Sequence, residues 1–478
     1  MSLLSILLAS LTWWIQFTDK QGSSEICLSQ RALDQRAAWN IAIDSLDYEV
    51  SPIYLDSLRA HGLTVMHTSR WMNGATVSGT AAQINTLLSA TWITHIQPTR
   101  DNSSPNIWYS AKRINETQQN DPPVISVSET EKQLNLYHLA PLHRLGFHGQ
   151  GILMCVCDGG FYNADRLSGL DSVRDQILGE FDFTDDSYDF YRSGTGSHGT
   201  ECLSAIAGQQ ESFHGAATKA QYYLMRSEEN DTESPKEMDN WIAAVEKCDS
   251  LGVNVMSTSL GYFNFDNSSW DLSYADMDGK TTRASRAALI AARKGMLVVV
   301  AAGNEGDAGW HYIDVPADAD SILTVGAVDT DGNIAYFSSY GPTHDGRIKP
   351  EACAVGYRAT LLDPSDSEII HSNGTSFACP LLAGMAATLW SAIPNATAQT
   401  IRTLIIQSTD RYTNPDDQYG YGIPNAYNAY QTAIATGLVE NPASESSYHE
   451  STKILIDGQI YILKDGVIYT LLGTKKAG

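Results

Sequence analysis

Apolar and polar positions change period several times along the chain, and those changes divide it. Trp13 to Phe17 alternates as a strand, and Leu28 to Ala42, charged and alanine-rich, predicts a helix. Leu63 to Val77 carries Asn73-Gly74 between two strand-like runs, a hairpin signal. Ala81 to Leu88 reads as a helix and Trp92 to Ile96 as a closing strand. The order predicts a small ferredoxin-like α+β domain over residues 12–100. Residues 101–132 are polar and proline-bearing, have no helical period, and read as an exposed linker. From 133 to 436, continuous apolar runs alternate with helical segments: Gly151 to Cys157, Gln221 to Met225, Val253 to Ser257, Met296 to Ala301 and Ile322 to Val328. This predicts an α/β domain with a mostly parallel sheet covered on both faces and function at the carboxyl ends of its strands. A Ser/Glu-rich stretch, 437–452, reads as a second linker. Residues 453–478 read as a small β-hairpin tail divided by Asp457-Gly458 and Asp465-Gly466.

The first eleven residues hold a short apolar run, Leu3 to Leu11. It reads as the apolar region of a secretory signal, although no Lys or Arg precedes it and no clean A-x-A site follows. The other reading is a trimmed start or the beginning of the first strand. No uninterrupted apolar run reaches the ~18 residues of a membrane-spanning helix. The chain's 478 residues suit about three domains. Its net charge of −24 argues against nucleic acid or anionic lipid as the main partner. The seven cysteines are too few for a disulfide scaffold, and Cys155 and Cys157, spaced C-x-C without a second pair, do not suit zinc. They read as buried thiols, with one bridge left open for an exported protein.

Candidate chemistry gathers at element boundaries. Asp158 directly follows the strand Gly151 to Cys157. His198 lies in Gly196-Ser197-His198-Gly199-Thr200, ahead of the alanine-rich helix Glu201 to Gly208. Ser376 lies in Asn373-Gly374-Thr375-Ser376-Phe377-Ala378-Cys379-Pro380, at the start of the apolar helix Leu381 to Ile393. Asn304 ends Ala301-Ala302-Gly303-Asn304, after the strand Met296 to Ala301. A serine hydroxyl needs a base to take its proton, and His is the natural base near neutral pH. A carboxylate fixes the imidazole tautomer, and an Asn amide can donate to an oxyanion. Singly, Asp-Gly-Gly is a turn, His-Gly a cap or loop, and Gly-Thr-Ser a helix N-cap; together, in order, they read as a catalytic set.

These residues resemble the subtilisin-like serine peptidases, the subtilase family, which have the same Asp–His–Ser order. His214 to Ala217, Ser259-Leu260-Gly261, Phe337 to Pro342 and Tyr421-Gly422 are similar to further family segments. The chain departs from the pattern at Gly159, where Ser or Thr is usual, at Phe377 and Cys379, and in Glu351 to Gly356. The resemblance implies a three-layer subtilisin-like catalytic domain and a secreted or cell-surface serine endopeptidase acting through an acyl-enzyme on a polypeptide substrate. Asp158, His198 and Ser376 would form the triad, with Asn304 at the oxyanion. Ser259, Leu260 and Gly261, with Ala302 and Gly303 opposite, would bind substrate. Aligning Pro316-Ala317 with a proline of the family's S1 loop puts Asp314 at the S1 floor, where it would attract Lys or Arg; the other reading is an exposed loop residue. No cofactor is required, although structural calcium is known in the family. The carboxylate run Asp182 to Asp189 carries no readable ligand pattern and reads as a solvated loop, with calcium binding there as the alternative, and the run Asp276 to Gly279 is open to the same two readings.

The first domain resembles the family's inhibitory propeptide, which makes it a partner of the catalytic domain and puts a maturation cut in residues 101–132; a permanent accessory domain is the alternative. Lys112-Arg113 is a candidate self-cleavage site. The tail resembles sorting tails of exported Gram-negative enzymes, or is a plain edge-covering hairpin. Two functions compete with the peptidase: a catalytically silent binding or surface protein on the same fold, and a peptide ligase or cyclase.

Overall fold

The computed structural model describes residues 11–101, 129–184, 189–192 and 194–439, and the strands Thr452–Ile456, Gln459–Lys464 and Val467–Thr470. Most of the apolar N-terminal stretch, residues 102–128 of the linker with Lys112-Arg113, residues 440–451, the Asp-Gly turns of the tail and residues 185–188 of the first carboxylate run lie outside them. The described chain divides into compact units of residues 1–430 and 431–478.

The first unit opens with β1 (Leu11–Phe17), α1 (Gln30–Ala38), α2 (Pro52–Ala60), β2 (Thr64–Ser69), β3 (Gly74–Gly79), α3 (Ala81–Asn85) and β4 (Ile93–Arg100). The strands form an antiparallel sheet in the order β2-β3-β1-β4, the expected ferredoxin-like arrangement. Alternation along β1 serves two cores. Ile15 and Phe17 pack with Val77, Tyr54, Leu58 and Ile84 under the domain's own helices. Trp14 faces the other way and joins Trp71, Met72 and Trp241 in the core of the next domain. The Asn73-Gly74 hairpin exists, but its connection runs from Arg70 to Asn73 rather than through a two-residue turn; Asn73 takes the left-handed conformation at φ 53°. The first helix is shorter than expected, and α2, capped by Ser51 with Pro52 at its first position, was not anticipated.

The main sheet has seven parallel strands. In chain order these are β5 (Leu153–Asp158), β6 (Ile177–Asp182), β7 (Gln221–Arg226), β8 (Val255–Thr258), β9 (Leu297–Ala301), β10 (Leu323–Val328) and β11 (Ala352–Val355). Their spatial order is β11-β10-β9-β8-β5-β7-β6. The five expected strands form its centre, and the two unforeseen ones, β6 and β11, are its edges. β6 alternates half-buried and exposed positions, unlike the continuous apolar runs of strands covered on both faces. The helices α4 (His198–Ala207) and α7 (Thr375–Ser391) cover one face; α5 (Pro235–Leu251) and α6 (Arg283–Arg293) cover the other. The N-terminal domain packs on α5, so its sheet forms a further layer outside the helices.

Strand register sets the site. Thr258 pairs with Cys157 on one side and Val300 on the other. The next residues, Asp158, Ser259 and Ala301, therefore reach the carboxyl edge at one level. All seven cysteines are free, and all but Cys27 are buried. In the second unit the three described tail strands pair antiparallel in sequence order. No described helix is long and apolar enough to cross a membrane.

Candidate active site

Asp158 is the last residue of β5 and is almost fully buried. His198 opens α4, and its Nδ1 lies 2.8 Å from Asp158 Oδ1. Gly199 makes that approach possible: a Cβ there would fall 2.5 Å from Gly160 O and 2.9 Å from Asp158 Cβ. Its N–H donates to Gly160 O at 2.9 Å, locking the helix start onto the loop after β5. Burial pulls the His198 imidazole down, but the Asp158 carboxylate outweighs it, and its pKa stands well above the ordinary histidine value.

Ser376 is the second residue of α7, where backbone N–H groups are unpaired within the helix. Pro380 lies inside that helix and has no N–H to give to the carbonyl four residues back, that of Ser376. Two side chains take over. Ser259 Oγ donates to Ser376 O at 2.7 Å and Cys202 Sγ at 3.4 Å. The missing helix bond thus ties the serine's backbone to the end of β8 and to α4. Cys202, one turn beyond His198 on the same face, also lies 3.8 Å from His198 Nδ1. Burial raises its thiol to about 11, so it stays a neutral donor. The two departures from the usual serine motif are packed in: the Phe377 ring lies 5.3 Å from the His198 ring, and Cys379 Sγ donates to Thr258 O and Val299 O at 3.4 and 3.3 Å.

Asn304 is held by Thr375. The Thr375 N–H donates to Asn304 Oδ1 at 2.8 Å, and Thr375 Oγ1 lies 3.1 Å from Gly303 O and 3.2 Å from Gly303 N. Glu305 Oε2 accepts from Asn304 N at 2.7 Å, and Ser339, from the Phe337 to Pro342 segment, supports both: its N–H donates to Gly303 O and its Oγ lies 3.2 Å from Glu305 Oε2. Sequence reasoning missed Thr375, Glu305 and Cys202 in these roles; only the spacing of Cys202 from His198 was a readable signal.

A cavity of about 180 Å³ opens beside Ser376. Ser259, Leu260, Gly261, Gly303, Asn304 and Asp314 all line it. Ala302 lies behind its wall instead: it is fully buried, its N–H donates to Val325 O, and its carbonyl accepts from Asp314 N. Asp314 is 5% exposed, not a solvated loop residue. Near Asp158, burial pushes the Glu228 carboxyl up to about 7, with the charges of Asp158 and Glu229 adding and hydrogen bonds from Ser227 and Tyr262 opposing. Gly159 donates its N–H to Asp158 Oδ1 at 2.8 Å, while Asp158 Oδ2 is buried with no hydrogen-bond partner among the described residues.

Asp158, His198 and Cys202 are the one group of ligand-type side chains close enough together to suit a metal among the described residues, and they are the site itself. In the two carboxylate runs, Asp182 pairs with Arg226, Asp276 caps Ser273, and Asp278 accepts from the N–H groups of Lys280 and Thr281.

Residues 149–422 match the model of the Subtilase family, and residues 12–119 match that of the Peptidase S8 propeptide domain, Bacteroidota. The chain is similar to Serine protease AprX of Bacillus subtilis (strain 168), 29% identical over 59% of this chain and 66% of that one. It is also similar to Subtilisin E of the same organism, 29% identical over 61% of this chain and 68% of that one. It therefore spans about two thirds of the length of these relatives. Its fold is similar to the solved structure of MycP1 from Mycobacterium smegmatis, with a TM-score of 0.51 and 21% identity over 64% of this chain and 86% of that one.

Proposed function

Because the chain belongs to the subtilase family, a family of serine-type endopeptidases, we propose that it hydrolyses peptide bonds through an acyl-enzyme. Ser376 attacks the scissile carbonyl, and His198 takes the serine proton and returns it to the leaving amine. Asp158 orients the imidazole and stabilises its charged form. With Oδ1 of Asn304 accepting from Thr375, its Nδ2 is the end available to the oxyanion. The positive end of α7 adds to the field there. An extended substrate lies along Ser259 to Gly261, opposite Ala301 to Gly303, as an added strand.

The observation that carries this reading is the 2.8 Å Asp158–His198 contact on one side of the linkage Cys202–Ser376–Ser259. The test is a fluorophosphonate probe on the full chain. Labelling should occur and should vanish in Ser376→Ala, together with turnover. Hydrolysis that persists in Ser376→Ala would sink the mechanism, and product masses separate hydrolysis from ligation.

The same reading makes residues 12–100 a propeptide, released by a cut within 101–132 from a secreted enzyme. At the end of β4, Arg100 Nη1 lies 2.6 Å from Glu229 Oε2, and Asn267 donates to Asp101 at 2.7 Å. The backbone of the same loop holds the cavity-lining Glu233, whose carbonyl accepts from Asp266. N-terminal sequencing of mature protein should begin between Asp101 and Gln133. A mature chain starting near Thr12 would make the first domain permanent.

A further inference from the structure

The backbone of Asp314 and Val315 ties together the two segments that flank Ser376. The Asp314 N–H donates to Ala302 O at 3.1 Å, beside Gly303 and Asn304. Val315 exchanges both backbone hydrogen bonds with Tyr262, at 2.8 and 3.1 Å, next to Ser259 to Gly261. The chain then returns to β10 through residues 316–322, and a buried cation fixes that return. Lys349 is 1% exposed. Its Nζ donates to Ala319 O at 2.7 Å and Thr324 Oγ1 at 2.9 Å, and lies 2.9 and 3.0 Å from Glu351 Oε1 and Oε2. Thr324 Oγ1 passes the link on by donating to Ala317 O at 2.5 Å. Arg402, on α8 (Ala398–Gln407), donates to Ile322 O at 2.7 Å and to Glu351 Oε1 at 3.0 Å. The two cations share one carboxylate and between them hold the 316–322 segment at both ends. Asp318, in its middle, accepts from the Gly279 N–H and from Ser285 Oγ.

A cation buried this deeply persists only where it is paired and hydrogen-bonded. Burial pushes the Lys349 ammonium down to about 8 against the pull of Glu351, and the charges of Arg402 and Arg347 add to the fall. At neutral pH it keeps its three protons, which match its three partners, Ala319, Thr324 and Glu351. We propose that Lys349 is a positioning residue for the peptidase: its ammonium pins residues 316–322 and, through Asp314 and Val315, holds Ser259 to Gly261 and Ala301 to Gly303 at the spacing that an extended substrate needs. This rests on the endopeptidase reading above. Asp158, His198 and Ser376 are set separately, by β5, α4 and α7. Loss of the ammonium therefore bears on a substrate that adds as a strand more than on the triad. A cavity of about 470 Å³, lined by Lys349, Glu351, Arg402 and Arg347 among others, opens at this cluster and shares no lining residue with the cavity beside Ser376. It gives a small solute a route to the place of the ammonium.

The test compares wild type, Lys349→Ala and Thr324→Val as full chains on two substrates, an extended peptide and a single-residue ester. In Lys349→Ala, kcat/KM for the peptide should fall ~10- to 100-fold. The ester should lose a few fold at most, with fluorophosphonate labelling of Ser376 retained. Ethylammonium should restore peptide hydrolysis in that variant several-fold, and tetramethylammonium, which has no N–H to donate, should not. Hydrogen exchange should be faster than in wild type at residues 259–264 and 312–318. Thr324→Val removes only the middle link at nearly constant volume, and serves should Lys349→Ala not fold; its effects should be smaller and in the same direction. Equal losses on peptide and ester, unchanged peptide hydrolysis in either folded variant, or no difference between the two ammonium ions would overturn the positioning role and leave the peptidase standing. A wild type that neither labels nor cleaves overturns the endopeptidase reading instead; unchanged exchange at residues 259–264 in the variants would then remove the link as well.

Discussion

Two parts of the catalytic domain gather carboxylates, one against the N-terminal domain and one in the cavity beside Ser376. On the outer face of α5, Glu246 and Asp249 are answered from within the chain. Glu246 accepts from Ser69 Oγ and from the N–H groups of Arg70 and Trp71 at 2.5, 2.9 and 3.2 Å. Asp249 lies 2.6 Å from both Arg70 Nη2 and Arg36 Nη2. Nearby, Lys294 pairs with Asp47 at 2.7 Å, and Arg283 pairs with Asp239 and stacks on Trp14. In the cavity beside Ser376, three carboxylates, Asp314, Glu305 and Glu233, share the wall with Leu260, Phe263 and Ala301. The docking face meets cations supplied by the N-terminal domain of the same chain. The difference teaches that burial of acid alone does not mark a site; what lines the space around it does.

Arg70 gives the sharpest way to break the docking face. It also donates to Leu46 O, Ser250 Oγ and Glu246 O. Arg70→Met should cost about 3–5 kcal/mol in denaturant unfolding, because it leaves buried carboxylates uncompensated. Burial already pushes the Glu246 carboxyl above the ordinary range, against the pull of Arg70. Without Arg70 it rises further, and the folded chain holds that proton more tightly than the unfolded chain does. Stability then falls as pH rises from the unfolded value to the folded one, so the loss should be larger at about pH 8 than at about pH 5. An equal loss at both would place the effect in packing.

The next effect lies wholly on the cleft side. Asn304→Ala should lower kcat ~100-fold or more with KM little changed and the unfolding midpoint near wild type. An unchanged kcat would assign the oxyanion to another donor.

The pH profile separates the two regions without a mutation. His198 must be neutral to act as a base, and its pKa is raised. Activity should therefore fall on the acid side with a midpoint above the ordinary 6.5. A midpoint below that value would mean that burial outweighs Asp158.

The smallest expected effect is at Gly159. A Cβ there would meet Glu228 Cβ at 3.6 Å, an ordinary contact. Gly159→Ser should be accommodated and raise stability by ~1 kcal/mol or less if its hydroxyl reaches Asp158 Oδ2. A lowered Tm would show that the loop has no room.

Much of this architecture was legible in the chain. Continuous apolar runs gave the five central strands, because a strand covered on both faces has no polar side to interrupt it. Alternation gave the first domain. The segments with Asp158, His198, Ser376 and Asn304 lay where elements begin or end, and the structure puts all of them around one carboxyl edge. The edges β6 and β11 and the short α2 were not legible, since half-exposed or four-residue segments carry little periodic signal. What tertiary structure alone decided is how far each strand runs and which loops meet beyond it. The register of β5, β8 and β9 brings Asp158, Ser259 and Ala301 to one level. Pro380 announced a missing hydrogen bond, but only packing could name Ser259 and Cys202 as its replacements. Asp314 could be read as a pocket floor or an exposed loop; tertiary packing buries it close to Gly261 and Gly303, lining the cavity beside Ser376. Local pattern reports which side of an element is buried; contacts between residues distant in sequence depend on chain pairing that no local window contains.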